Sequence, residues 1–539
     1  MSTGKRSNLY HVLQLLLLLS GMMSHPSFAA LKPSILAPQT NEYIFIENLI
    51  DSEFFVTPRK LNPRLTGSNV WTKFGSTKQS SLGYIGVTNW TANNQFVDMW
   101  IENSPIHTPF QGLRCVRGGS CPSQGFIQPG MLDQYGFYRT PARSGISNGG
   151  YGFALLSSSA YEHMRTLAVG VRNIFDLNFC RTNNAYDPAR GQRCNTHATT
   201  GNWYKTNFNL TKTAHITLTD TRGASELWVD SNGIPSLAER SEFCQVGVVM
   251  GESGIICKMV KYDVRKNSDI YSTLRFNLIV DQSQLKFTPN SSSIKISGNN
   301  RQWYNYAANT PANSFFQSGS GYISIFFSNR FFKTLATYKG SIQGHEDIFT
   351  FNFNNTNTPE SGYYQFSSST KLHILPREYG ISIRPEAHSV GRINAQIGSR
   401  KPIEFDYKVT LSAPRMADNV TAQVIGSSAQ KNRLNYCRFN ALDRRYAVLI
   451  PAYLSFTTRS NQTQRIRNSC ADAEVSITNA AWSVVPWDQF QSGNFYSTPL
   501  NLSFAMDDPS SLFTEKGQQW EGTVYAEGTI RVKALWLGP

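Results

Sequence analysis

Apolar and polar positions alternate with a period of two along much of the chain. Ile403, Phe405, Tyr407, Val409 and Leu411 are interleaved with Glu404, Asp406, Lys408 and Thr410. Successive side chains of a strand point to opposite faces, so this pattern buries one set and solvates the other. Leu500, Leu502, Phe504 and Met506 repeat it around Asn501, Ser503 and Ala505, and Ile530, Val532, Ala534 and Trp536 repeat it around Arg531 and Lys533. Shorter alternating segments lie at 43–47, 322–327 and 349–353. Turn-forming clusters punctuate them: Asp230-Ser231-Asn232-Gly233, Asn148-Gly149-Gly150 and Ser318-Gly319-Ser320-Gly321. Many short strands so separated predict an all-β chain of sandwiches. Helical periodicity is scarce. Its best case is 157–167, with Ala160, Tyr161, Met164 and Leu167 on one side.

Residues 1–29 read as a secretory signal. Lys5 and Arg6 give the positive start, Val12 to Leu19 is apolar except for Gln14, and Ser27-Phe28-Ala29 supplies a small-x-small cleavage site. The apolar run is shorter than the ~20 residues that a membrane anchor needs. The rest of the chain has room for about three domains at ~150 residues each. Gly233-Ile234-Pro235-Ser236 and Leu375-Pro376-Arg377-Glu378 each come after an expected strand. They set the expected domains at 30–235, 236–378 and 379–539.

Composition narrows the class. Hydrophobic residues make up 40% and charged ones 16%, with 39 Gly and 24 Pro, which excludes a disordered, coiled-coil or collagen-like chain. The 33 Phe, 24 Tyr and 10 Trp supply bulk for several cores and favour strands. The eight cysteines after a signal imply disulfides. Their spacing predicts neighbour pairing: Cys115–Cys121, Cys180–Cys194, Cys244–Cys257 and Cys437–Cys470. The connectivity is one of about 105 formal possibilities. Closing the 180–194 loop is worth ~3 kcal/mol on the loop-entropy account. No C-x-x-C and no histidine pair at ligand spacing points to a metal. The net charge of +15 favours anionic surfaces such as host glycans or lipopolysaccharide. The charges are dispersed, so no nucleic-acid role is expected.

Catalytic motifs are missing. There is no G-x-S-x-G, H-E-x-x-H or P-loop, and the histidines after the signal are scattered. His345-Glu346-Asp347 reads as an exposed turn before a strand. Asp230-Ser231-Asn232-Gly233 starts like a calcium loop, but Ser241 stands where such a loop has Glu, so a hairpin turn is expected. Paired carboxylates of a glycosidase need no local motif, but nothing points to them. Neither an enzyme nor a cofactor is expected. Binding features are more informative. Trp71, Trp90, Trp100 and Asn202-Trp203-Tyr204 lie in the first domain; Arg114 and Arg117 flank a tight cysteine loop, with Arg139 and Arg143 further on. Aromatic faces cover the apolar patches of sugars, and guanidinium suits carboxylates. Most tryptophans are expected in cores. The candidate receptor residues are Arg114, Arg117, Arg139, Arg143, Trp203 and Tyr204.

The alternating segment 529–537 suggests a last domain that presents a strand edge, Ile530, Val532, Ala534 and Trp536, to a partner strand. Together with particular stretches it carries a resemblance. Those stretches are Leu61–Gly67, Ser81–Ile85, Phe96–Pro105, Gly112–Cys115, Gly201–Tyr204, Cys257–Val260 and Pro359–Tyr363. From about residue 42 onward the chain closely resembles the tip-adhesin family of the Escherichia coli common pilus, a chaperone–usher (Ecp, or Mat, type) pilus. The resemblance implies immunoglobulin-like sandwiches, the last an incomplete pilin-type domain that accepts a donor strand. It implies export through the periplasm to the fimbrium tip, attachment to host cells and early biofilm formation. The implied partners are a major pilin, periplasmic chaperones, an outer-membrane usher and a host receptor, read as a glycan. Before Asn41 the match is poor, and Pro33 and Pro38 make that segment a bad donor strand. The alternative reading is a structural, polymerising pilus subunit without a dedicated receptor site.

Overall fold

The computed structural model describes residues 30–538 other than 59–82, 88–89, 118–125, 143–150, 238–240, 269, 271–272, 339–341, 344–347, 356–362, 387–392, 444 and 489–490. The alternating segments are strands, and the chain is all-β apart from short helices. Its first two thirds contain β1 (Pro33–Asn48), β2 (Phe96–Glu102), β3 (Gly136–Pro141), α1 (Ser158–Thr166), β4 (Arg172–Thr182), β5 (Asn202–Thr219), β6 (Cys244–Val249), β7 (Glu252–Lys266), β8 (Gly319–Ser328) and α2 (Asn329–Thr337).

Among the described residues these strands belong to one twelve-stranded sheet. Its spine is the long strand β5. The first half of β5 pairs with β4 and its second half, Ala214–Thr219, pairs with β7. Along its other edge β1 runs parallel from Pro33↔Trp203 to Asn48↔Leu218. The sheet therefore crosses the position near 235 where the sequence suggests a boundary. Alternate residues of β1 feed two cores: Tyr43 and Phe45 pack with Trp90, Phe179 and Phe208, while Ile44 and Ile46 pack with Ile216, Ile255 and Phe353. A smaller sheet holds strands 84–85, 110–117 and 151–156.

Helix α1 falls where the apolar period placed it. The Ser157 hydroxyl accepts from the Ala160 amide at 3.2 Å, closing the N-terminus, and Ala160, Tyr161 and Met164 are buried. At its other end the buried Lys212 Nζ donates to the carbonyls of Arg165 (2.8 Å) and Leu167 (2.9 Å). A cation here satisfies carbonyls that a helix end leaves without intrahelical partners. Cys180–Cys194, Cys244–Cys257 and Cys437–Cys470 are disulfides, as the spacing predicts. Cys115 is also disulfide-bonded; Cys121 lies outside the described residues. So do residues 1–29, Trp71 and His345-Glu346-Asp347. The Asp230 turn is the expected hairpin turn: its carboxylate accepts from the amides of Asn232 (3.0 Å) and Ile234 (2.7 Å).

The C-terminal third is a two-layer sandwich built from β9 (Gly380–Pro385), β10 (Ile403–Ala413), β11 (Asn419–Gly426), β12 (Gln491–Phe504) and β13 (Gly528–Leu535). One sheet contains β9, β10 and β12, and the facing one contains β11 and β13; a further small sheet beside them holds strands 428–431, 434–441, 447–450 and 524–525. Val409, Leu411, Leu500 and Leu502 from one layer meet Val420, Ala422 and Val424 from the other. This third docks on the middle of the chain through a small apolar cluster of Trp228, Leu375 and Phe495, with Trp487 beside it. Arg377 spans the same junction. It donates to the Asp230 carboxylate at 3.1 Å, both groups being buried, and its guanidinium lies 5.0 Å from the Trp487 ring centroid.

Candidate functional site

Two surfaces stand out. The first is a slot in the C-terminal sandwich. Among the described residues β9 pairs only with β10, and β13 pairs only with β11. Each is therefore the edge of its layer. The two edges meet at one end, where the Tyr379 and Trp536 rings lie edge to face at 5.5 Å. Ile381 and Ile383 on β9, and Ile530, Val532, Ala534 and Trp536 at β13, pack on the core but stay half-buried. These side chains cover the core between the two edges and remain partly accessible. The intervening Arg531 and Lys533 face water. The end of β13 is pinned: Asp418 accepts from the Leu537 amide at 2.8 Å and from Arg415 at 2.9 Å. Those bonds, the backbone one foremost, hold the Asp418 carboxyl below its usual range. The four residues expected to form a strand-accepting edge are all here.

The second surface is the outer face of the sheet in the N-terminal third. On β2, Val97, Met99 and Ile101 point into the core, which leaves Phe96, Asp98, Trp100 and Glu102 on the other side. Across the ladder Trp100 faces Asn178, and Glu102 faces Asp176, both on β4. On β5, Trp203 and Lys205 complete the patch. The Trp100 ring lies 6.0 Å from Trp203 and 6.4 Å from Tyr138. Gly136 permits this approach, since a Cβ there would lie 2.6 Å from Trp100 Cα. The polar groups are held by one another. Trp203 Nε1 donates to Asn178 (2.9 Å), Trp100 Nε1 to Glu102 (2.9 Å), and Lys205 Nζ lies 2.8 Å from Glu102 and 3.2 Å from Asp176. These carboxylates, Glu102 first, raise the Lys205 pKa and keep it charged.

A loop covers the other end of the face. Buried Asp98 accepts from the amides of Arg139 and Cys194, each at 2.7 Å, and from the Tyr186 hydroxyl. Burial pushes its pKa up to about 6, against the opposing hydrogen bonds. The Cys180–Cys194 disulfide ties the same loop to β4. The open part is a half-buried Trp203 edge beside two carboxylates, an amide and an ammonium. Such a set can cover a sugar's C–H face and bond its hydroxyls.

The six receptor residues expected from sequence are not gathered into one site. Trp203 is on this face, and Arg139 is near its rim, over the Phe96 ring at 5.2 Å. Tyr204, the next residue along a strand, must point the other way; it packs on the inner core near Phe179. Arg114 is 3% exposed in the small sheet, too deep to meet a receptor. The Arg117 side chain and Arg143 lie outside the described residues. Sequence reasoning missed Glu102, Asp176, Asn178 and Lys205. The available signal was the period-two reading of Phe96–Glu102, which puts Trp100 and Glu102 on the face opposite Val97, Met99 and Ile101. Trp90 is fully buried, as expected for most tryptophans.

Comparison with known proteins gives a consistent result. The families described as E. coli common pilus adhesin EcpD N-terminal domain, middle domain and C-terminal domain match residues 31–216, 220–371 and 378–534. The fimbria adhesin EcpD of Escherichia coli K12 is 35% identical over 518 residues, covering 92% of this chain and 93% of that protein. The fimbria adhesin EcpD of the enteropathogenic strain E2348/69 is 34% identical over the same coverage. Among solved structures, a chaperone–tip adhesin complex of CFA/I fimbriae overlaps 58% of this chain and 96% of its own at 10% identity, with a TM-score of 0.20. The CsuC–CsuE chaperone–tip adhesion subunit complex of Acinetobacter baumannii overlaps 59% of this chain and 99% of its own at 11% identity, with a TM-score of 0.17. With overlaps this weak, the fold rests on the strand topology itself.

Proposed function

Because the chain belongs to the family of the E. coli common pilus adhesin EcpD, we propose that it is the tip adhesin of a chaperone–usher pilus. It attaches the cell to host surfaces, takes part in early biofilm formation, and joins the shaft by donor-strand exchange. Residues 1–29 direct export to the periplasm. There a chaperone covers the C-terminal slot until, at the outer-membrane usher, the major pilin's N-terminal extension replaces it. The N-terminal face around Trp203, Glu102, Asp176 and Lys205, with Arg139 at its rim, contacts a glycan receptor.

The observation that carries this reading is the pair of unpartnered edges, β9 and β13, flanking half-buried Ile381, Ile383, Ile530 and Val532. An added strand would hydrogen-bond to β13 and bury that row. An open edge left bare invites aggregation, which is what a periplasmic chaperone would prevent. The tip position, rather than a polymerising subunit, is supported by β1. Residues 33–48 are paired along β5, with Tyr43 to Ile46 fully buried, so they are not free to complete another domain.

The test is thermal melting of the full chain with a peptide copying the major pilin's N-terminal extension. At a hundred times Kd, a ligand that binds only the folded state adds about 2.7 kcal/mol, a shift of roughly 5–10 °C for a unit of this size. Val532→Asp should abolish the shift while leaving the strand signal in circular dichroism intact. A melt unmoved by the peptide would refute donor-strand exchange.

A further inference from the structure

Strands β6 and β7 form a hairpin stapled near its base by the cross-strand disulfide Cys244–Cys257. Among the described residues β6 pairs only with β7, so its outer edge is open. Proteins usually blunt such edges with charge or proline. Here the strand reads Cys-Gln-Val-Gly-Val-Val, with neither. Val246, Val248 and Met250 are 69%, 67% and 77% exposed.

The turn is costlier still. Val249 pairs with Glu252, leaving Met250 and Gly251 as a two-residue loop. Both have positive φ, 51° and 82°, the conformation that favours Asn-Gly. Methionine lacks the short polar side chain that eases this backbone, and its thioether is left in water. Asparagine would suit both the backbone and the solvent better. Folding therefore gives no reason for methionine at the tip.

The apolar tip has a basic collar. Glu252, the first residue after the turn, accepts from both Lys295 and Arg330, each at 3.1 Å. Two cations on one carboxylate leave a net positive charge. Lys333, one helical turn beyond Arg330 on α2, is exposed.

We propose that this hairpin is a lipid-contacting finger, which sets Val246, Val248 and Met250 into the interface of an anionic lipid surface while Arg330 and Lys333 meet the headgroups. An interfacial element combines exposed apolar side chains with cations that face anionic headgroups; here Val246, Val248 and Met250 supply the first, and Arg330 and Lys333 the second. The finger is separate from the C-terminal slot and from the Trp203 face, so it stands or falls independently of both.

The test is sedimentation of the full chain with vesicles of phosphatidylglycerol and phosphatidylcholine, against vesicles of phosphatidylcholine alone. The chain should bind the anionic vesicles, and salt should weaken the binding. The variant Val246→Thr/Val248→Thr/Met250→Asn should bind about tenfold or more weakly, given the apolar surface it removes from the interface. Met250→Asn alone should weaken binding severalfold while the melting temperature holds or rises, which separates lost contact from lost folding. Arg330→Gln/Lys333→Gln should lose the preference for anionic vesicles. No binding to anionic vesicles at low salt, equal binding of the triple variant, or no preference over phosphatidylcholine would each overturn the proposal. So would a triple variant that loses capture of a soluble protein partner while the wild type ignores vesicles.

Discussion

The junction at Arg377 can be tested quantitatively. Arg377→Met keeps most of the side-chain volume and removes the charge. Asp230, 4% exposed, would then stay buried with only the turn amides of Asn232 and Ile234 as partners among the contacts described. Breaking one side of a buried pair costs about 3–5 kcal/mol. The guanidinium's desolvated contact with Trp487 is worth up to about 2 kcal/mol, part of which methionine retains by packing. The single variant should therefore lose about 3–5 kcal/mol. Asp230→Asn can still accept from both turn amides through its carbonyl oxygen, but it turns an amide N–H₂ toward Arg377. In the double variant that clash is gone and no buried charge remains. The two changes should then be non-additive by about 2–3 kcal/mol. The assay is urea unfolding followed by tryptophan fluorescence, reading the transition reported by Trp228 and Trp487, since a chain of several domains has no single unfolding free energy. Proteolysis near 376–380 should quicken in the single variant and slow again in the double. Effects that add to within about 0.5 kcal/mol would refute the reasoning.

Buried and half-buried groups elsewhere give two more expected outcomes. His215 is held by Glu47 at 3.1 Å and by Lys212 Nζ at 3.1 Å, and burial, then the Lys212 charge, lowers its pKa to about 4. A histidine neutral in the fold but protonated when unfolded stabilises fully above pH ~6.5 and loses that contribution as pH falls towards 4. The melting temperature should thus drop across that window in the wild type and less steeply in His215→Gln. Trp203→Ala should cut adherence to host cells at least about tenfold while the donor-peptide melting shift persists; full adherence would move the receptor site elsewhere.

Strand content was legible because alternation is a local property. Ile403–Leu411, Leu500–Phe504 and Ile530–Trp536 needed only a period of two, and both the 157–167 helix and three disulfides came from equally local patterns. The receptor face was less legible. Alternation says which residues share a face but not which face meets water, so Arg114 looked available although its small sheet buries it. Trp203 and Tyr204 are neighbours in sequence, and adjacency along a strand is what separates them. The role of Lys212 was beyond reach. A lysine inside an alternating run reads as a solvent position, and only the end of α1, some 45 residues earlier, supplies the carbonyls that make its burial tolerable.

The long strand β5 has a mechanical consequence. On the function proposed above, the protein is held at one end by a receptor and at the other by a shaft, so flow puts it under tension. A pull along β5 loads its ladder to β7, Ala214–Thr219 against Lys261–Lys266, and its ladder to β1, with the force parallel to the strands. The hydrogen bonds must then slide and fail together rather than peel one at a time. The first two thirds of the chain would transmit such a load as a single stiff beam, leaving the Trp228–Arg377 junction as the place where it bends.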